Sequence, residues 1–198
     1  MQDDIEYPNW FLSVEHNFIK NLSSLKFKKI KCLQIGAYTG DASVWLHNNI
    51  ILDPESLLTD VDIWSENSEE LQNMLELGKS LTWSGVESEY DRKTKDGQDQ
   101  GKIIKYKGTS DAFFKDNVNF YDFIYIDGAH TAKQVEIDAD NAWKFLNPLG
   151  IIAFDDYRWN HGANLEKMPK VGIDKFLNKH VDEYIELDKN WQYWIMKK

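Results

Sequence analysis

An α/β fold with a mostly parallel seven-stranded sheet, helices on both faces and an antiparallel C-terminal strand follows from three observations. The stretch Tyr121 to Tyr157, YDFIYIDGAHTAKQVEIDADNAWKFLNPLGIIAFDDY, reads as strand, helix, strand. Upstream of it, short apolar runs alternate with helical patterns, which is the signature of parallel strands joined by crossover helices. Two further runs, Tyr184 to Leu187 and Trp191 to Met196, flank the turn Asp188-Lys189-Asn190 and form a closing hairpin, which supplies the antiparallel strand.

In chain order, Phe11, Val14, Phe18, Leu22 and Leu25 recur at helical spacing behind Asn9, a candidate cap. They predict an amphipathic helix over 9–25, within an N-terminal helical segment 1–29. Ile30 to Ile35 is a short buried strand, followed by the turn Gly36-Ala37-Tyr38-Thr39-Gly40 and a helix over Asp41 to Asn48. Leu57 to Ile63 is the second strand and Glu69 to Leu77 the second helix. Ser84 to Gly101, SGVESEYDRKTKDGQDQG, is polar and charged without useful periodicity, so a long exposed loop is expected there. Ile103 to Tyr106 is the third strand, Asp111 to Asn117 a short helix, and Tyr121 to Tyr157 supplies strands four and five. A last helix near Ile173 to Asn178 leads into the hairpin.

The 198 residues suit one domain spanning 1–198, with no repeat or low-complexity tract to divide it. With 33 acidic against 23 basic residues the formal charge is −10, and no dense Lys/Arg patch interrupts it. That balance argues against nucleic acid and against an anionic membrane surface as partners. The lone Cys32 excludes an internal disulfide and sits in an apolar strand, where burial is its ordinary explanation. No apolar run reaches membrane-span length, and the start MQDDIEYPNW lacks the regions of a signal peptide, so a cytoplasmic protein is expected. The amphipathic N-terminal helix leaves a homo-oligomer open.

The chemistry concentrates at strand ends. Asp127 closes the fourth strand, and Asp155 with Asp156 closes the fifth. If those strands are parallel neighbours, their carboxyl ends lie about 5 Å apart, at the edge where open α/β sheets bind ligands. Several carboxylates in a low-dielectric cleft need a compensating charge, and oxygen ligands suit a hard divalent ion such as Mg²⁺. Strand-end aspartates also cap loops, and both readings stand at this point. Successive strand residues face opposite ways, so Asp155 and Asp156 share one ion only if the strand ends there. His130, three residues beyond Asp127, is placed either to take a proton from a bound hydroxyl or to cap the following helix.

The turn after the first strand has its glycines at Gly36 and Gly40, not in the G-x-G-x-x-G pattern that a pyrophosphate needs. Tyr38 occupies its middle, which weakens a dinucleotide reading. The turn instead suits a ligand without pyrophosphate, meeting the N-terminal amides of a helix through a carboxylate. Asp62, at the end of the second strand, is placed to accept from a ribose diol, with Asp60 two residues earlier as its rival.

The order of these pieces resembles the class I S-adenosylmethionine-dependent methyltransferases, whose successive motifs are similar to CLQIGAYTGDASVWL, LLTDVDIW, GTSDAFF, YDFIYIDGAH and GIIAFDDY. The likeness runs over nearly the whole chain beyond residue 30. It is most similar to the macrocin and mycinamicin type of sugar O-methyltransferase, and the tail PKVGIDKFLNKHVDEYIELDKNWQYWIMKK resembles that group's closing helix and hairpin. The resemblance implies a Rossmann-like sheet and S-adenosylmethionine as cofactor. It implies that Gly36, Ala37, Tyr38 and Gly40 line the methionine end, Asp62 the ribose, and Thr109 with Ser110 the adenine. Gln34 stands where the family usually carries an acidic cofactor contact. Asp127, Asp155 and Asp156 would hold Mg²⁺, Asp127 also bordering the cofactor, and His130 would be the general base. The implied reaction is O-methylation of a small-molecule or sugar hydroxyl, with Tyr157, Trp159 and Trp64 as candidate ring-binding residues or plain core. A non-catalytic protein of the same fold, or a metal-independent N-methyltransferase, are the alternatives.

Overall fold

Alternate residues of the central strands go to opposite faces of the sheet, and that alternation sets the layers. The chain is described here from a computed structural model, over residues 7–65, 82–160, 162 and 164–198. Its strands are β1 (Lys31–Ile35), β2 (Leu57–Asp62), β3 (Ile103–Lys107), β4 (Tyr121–Ile126), β5 (Leu146–Phe154), β6 (Tyr184–Lys189) and β7 (Tyr193–Lys197). Its helices are α1 (Glu15–Leu22), α2 (Asp41–Asn49), α3 (Trp83–Asp99), α4 (Ser110–Asp116), α5 (Ala132–Phe145) and α6 (Pro169–Lys179). Cys32, Phe123, Tyr125 and Ala153 pack with Phe18 of α1 and Leu46 of α2 on one face. Leu33, Ile124, Ile126 and Ile152 pack with Ala139 of α5 and Phe176 of α6 on the other.

The seven strands lie in the order β3-β2-β1-β4-β5-β7-β6. β1 to β5 are mutually parallel, and β7 runs antiparallel to both β5 and β6. The reversed strand is therefore inserted beside β5, while its hairpin partner β6 forms the edge. Strand order changes direction between β1 and β4, so the crevice at their carboxyl ends is a topological switch point. The ladder runs one residue past the strands there: Asp127 N donates to Ile35 O at 2.8 Å and Asp155 N to Ile126 O at 2.9 Å. Gly36, Asp127 and Asp155 consequently stand in a row along the open edge.

The opening helix is interrupted. Asn9 accepts from Leu12 N and caps a 3-10 turn over Trp10–Ser13, α1 follows, and Ser23–Leu25 form a second 3-10 turn. The helix expected at Glu69 to Leu77 lies outside the described residues. Cys32 is fully buried, and burial holds its thiol well above the ordinary range. Among the described residues, no helix is long and apolar enough to cross a membrane.

The loop expected over Ser84 to Gly101 is instead the long helix α3. Thr82 caps it by accepting from Gly85 N, and Trp83, Val86, Tyr90, Thr94 and Gly97 form one buried stripe. Its outer faces carry the ion pairs Arg92–Glu89 and Lys95–Asp99, three and four residues apart. A stripe this narrow, diluted by charge, escapes a periodicity search that looks only for aliphatic runs. Val86→Ala is expected to lower unfolding stability by about 2 kcal/mol in urea denaturation. A change within about 0.5 kcal/mol, as at an exposed loop position, would contradict the packing of α3.

Candidate active site

The Gly36–Gly40 turn is built around left-handed backbone at Gly36 (φ 86°), Tyr38 (φ 47°) and Gly40 (φ 82°), which carries the chain from β1 into α2. At Gly36 a side chain is excluded outright, since a Cβ would lie 1.9 Å from the carbonyl oxygen of Asp127. The turn and the end of β4 are thus pressed together at the switch point. Gln34 is buried beneath them, its Nε2 donating to Gly36 O at 2.8 Å and its Oε1 facing Ser43 Oγ at 3.4 Å.

Asp62 and Asp60 project from the same face of β2 to different ends. The Oδ2 of Asp62 accepts from the amides of Ala37 and Tyr38 at 2.8 and 2.9 Å, and its Oδ1 accepts from Trp64 N at 2.9 Å. It therefore belongs to the open turn; burial raises its pKa against these amides, which lower it. Asp60 is sealed under α3, accepting from Tyr90 Oη at 2.8 Å, and burial pushes its carboxyl up to about 7.

That shift has a sign. A carboxyl whose folded pKa stands above its ordinary 3.8 favours the folded state in acid, and the advantage disappears as pH rises from about 4 through about 7. The difference corresponds to on the order of 4 kcal/mol. Asp60→Asn keeps an acceptor for Tyr90 and removes the titration. Its melting temperature is expected to exceed that of the parent at pH 8 and to converge with it near pH 4; parallel pH profiles would refute the assignment.

Thr109 and Ser110 stand at the start of α4. Thr109 is exposed and caps the helix by accepting from Ala112 N, and Ser110 Oγ donates to the buried Asp138 at 2.6 Å. Both hydroxyls thus serve contacts within the fold. Asp138 also accepts from Gln134, and burial pushes its carboxyl up to about 6.

At the ends of β4 and β5 the acidic residues separate. Asp127, His130 and Asp156, each half-buried, bring one ligand atom apiece within 4.8 Å of one another. His130 Nε2 lies 3.0 Å from Asp156 Oδ2, and the Trp159 ring meets the imidazole edge-on at 4.2 Å between centroids. Asp155 is not in this group. It continues the alternation of Ala153 toward the α1 face, where its Oδ2 accepts from Tyr125 Oη at 2.7 Å and its Oδ1 from the Asp156 amide at 2.9 Å. Burial, then the neighbouring Asp156 charge, holds the Asp155 carboxyl above its ordinary range. Asp156 takes a left-handed φ of 54°, which ends the strand and swings its carboxylate toward His130. Of the two aspartates that strand alternation sets on opposite faces, Asp156 is the one that joins the group.

The aromatic candidates divide likewise. Tyr157 is buried, donating from Oη to Asp174 at 2.8 Å beneath Lys170. Trp64 is buried against Tyr90 and donates from Nε1 to Tyr38 O at 2.9 Å. Trp159 alone of the three sits beside His130. Sequence reasoning missed Tyr125, Gln192 and Asn17, which lie behind the carboxylates; for Tyr125 the signal was its i, i+2 relation to Asp127. A cavity of about 450 Å³ between Phe11, Trp45 and Arg92 lies on the outer helical layer, apart from the acidic edge.

A methyltransferase-domain family model matches residues 33–157, from β1 through the end of β5 and its loop. The chain belongs to that family. This methyltransferase domain matches no curated protein. Its solved structural neighbours include several methyltransferases. A Klebsiella pneumoniae protein assigned as an O-methyltransferase has a TM-score of 0.63 at 11% identity, over 97% of this chain and 81% of that one. The N-methyltransferase NodS of Bradyrhizobium japonicum has a TM-score of 0.58 at 16% identity, over 96% and 97%. The MycE methyltransferase of mycinamycin biosynthesis, solved with Mg, SAH and mycinamycin VI, has a TM-score of 0.59 at 13% identity, over 97% of this chain and 50% of that one. At these identities the likeness concerns the fold.

Proposed function

We propose that this single methyltransferase domain O-methylates a hydroxyl of a small molecule or sugar, with S-adenosylmethionine as donor and a divalent cation, Mg²⁺, at the acidic edge. The observation that carries this reading is the convergence of the glycine turn with Asp127, His130 and Asp156 at one switch point. The donor sets fit both groups. First-turn amides of α2 suit the methionine carboxylate, and Asp62, fixed by the turn's own amides, suits a ribose diol. The carboxylates of Asp127 and Asp156, with ligand atoms within 4.8 Å, suit a hard divalent ion, and the His130 imidazole stands beside them.

When bound, S-adenosylmethionine supplies an electrophilic methyl group. Asp127 and Asp156 would hold Mg²⁺, whose charge would lower the pKa of an acceptor hydroxyl. His130 takes the proton. With Nε2 donating to Asp156, the accepting atom of the neutral ring is Nδ1. Asp156 orients the imidazole, and the Trp159 ring packs edge-on against it. Asp155 supports the edge from below, which differs from a set in which all three aspartates contact the ion. The affinity to macrocin and mycinamicin type enzymes rests on the same IDG-x-H and DD residues.

The test is a panel of hydroxylated acceptors incubated with S-adenosylmethionine, with S-adenosylhomocysteine as readout, with and without EDTA. Turnover that EDTA abolishes and Mg²⁺ restores is expected, and His130→Ala is expected to lose about 100-fold or more. Undiminished turnover in EDTA would remove the cation. Calorimetry showing no S-adenosylmethionine binding would remove the enzyme reading altogether.

A further inference from the structure

Behind the acidic edge lies a buried polar chain whose hydrogen-bond directions can be deduced. Trp194 Nε1 is a donor only, and it lies 3.0 Å from Gln192 Oε1, so that atom is the amide oxygen. Asn17 Nδ2, on α1, donates to the same oxygen at 3.1 Å. The Gln192 amide nitrogen therefore faces Tyr125, donating to its Oη at 3.3 Å. Tyr125 Oη, accepting there, has one proton to give and two carboxylates in reach: Asp155 Oδ2 at 2.7 Å and Asp127 Oδ2 at 3.1 Å. Asn17, Tyr125 and Gln192 are all buried, at 2%, 1% and 0% exposure. Such a chain is costly to leave half-satisfied, and its members hold one another in a single arrangement.

We infer that Tyr125 is a positioning residue for the cation centre, held by Gln192 and Asn17, so that α1 is part of the apparatus that aims Asp127. The inference rests on the cation reading proposed above. The phenol holds Asp155 inward and, by sharing its one proton, reaches one oxygen of Asp127, the carboxylate that groups with His130 and Asp156. Partners of this kind set the orientation of metal-ligating carboxylates, and their loss weakens metal binding by about 10- to 100-fold. Three segments far apart in sequence, α1, β4 and the turn just before β7, are joined in this one chain.

The test is a Mn²⁺ titration of the full chain by calorimetry, with the electron paramagnetic resonance spectrum of the bound ion as second readout. Tyr125→Phe is expected to bind Mn²⁺ about tenfold or more weakly with an altered spectrum. Asn17→Ala, which removes only the far end of the chain, should shift affinity in the same direction by less. Phe18→Leu serves as control, because Phe18 packs on the Tyr125 ring at 5.0 Å and carries no hydrogen bond. It should keep parental affinity whatever its effect on melting. Parental affinity and spectrum in Tyr125→Phe would overturn the inference, as would an equal loss in Phe18→Leu. If Tyr125→Phe does not fold, Asn17→Ala decides: parental affinity refutes, weakened affinity supports. Absence of Mn²⁺ binding in the parent, or binding unaffected by Asp127→Ala, would refute the cation reading itself, an outcome separate from parental behaviour in Tyr125→Phe alone.

Discussion

Asp156→Asn is expected to lower methyl transfer by at least about 100-fold while leaving the fold intact. Asn tolerates the left-handed backbone at 156 (φ 54°), so the substitution changes charge and little else. It takes away one of the two carboxylates in the Asp127–His130–Asp156 group and weakens the partner that orients His130. Loss of an interaction made in the transition state lowers kcat together with kcat/KM. Asp155→Asn supplies the contrast, because it preserves an acceptor for Tyr125 and lies outside the group; a loss of less than about tenfold is expected, an outer-shell effect at the mild end. S-adenosylhomocysteine formation at saturating donor measures both. Equal losses in the two variants would mean that the ion engages both aspartates alike, and full activity in Asp156→Asn would dismiss the cation centre.

Gly36→Ala should be the most destructive glycine-to-alanine change among the described residues. Left-handed backbone costs an L-residue about 1–2 kcal/mol. The added Cβ would also stand 1.9 Å from Asp127 O and 2.8 Å from the Gly128 Cα, backbone atoms fixed by the β1–β4 ladder. Relief requires separating those two strands at the switch point, which moves Asp127 away from His130. Loss of stability beyond about 4 kcal/mol is expected in urea unfolding, with loss of S-adenosylmethionine binding if any folded protein remains. Gly101→Ala is the matched comparison: its φ is 68° but nothing lies within 4 Å of the added methyl, so about 1 kcal/mol is expected. Similar costs at the two positions would show that conformation alone, not the strand contact, makes Gly36 necessary.

Elements that bury a continuous apolar run were legible in the sequence. β1, β4 and β5 are covered on both faces, so their runs are mostly apolar up to Gly36 after β1 and to the carboxylates Asp127 and Asp155 after β4 and β5. The row formed by Gly36, Asp127 and Asp155 follows directly from parallel pairing of those runs. α3 was not legible, because its buried stripe uses Trp83, Tyr90, Thr94 and Gly97 beside a single aliphatic residue, Val86. Asp62 and Asp60 could not be separated either, since residues two apart on a strand share a face; Tyr90, thirty positions away, settles which one is sealed.

The amino-acid sequence by itself determined that acidic side chains and a glycine turn would meet at the carboxyl edge of a parallel sheet, because strand periodicity and crossover connections leave few other arrangements. Tertiary structure decided which carboxylates face outward. Asp155 and Asp156 are chemically identical neighbours, and the distinction between them comes from a phenol on β4 held by an amide just before β7. Those groups draw one aspartate inward, while a left-handed residue turns the other toward His130. Hydrogen bonds between residues 30 to 175 positions apart have no local signature, so the orientation they impose appears only once the chain is folded.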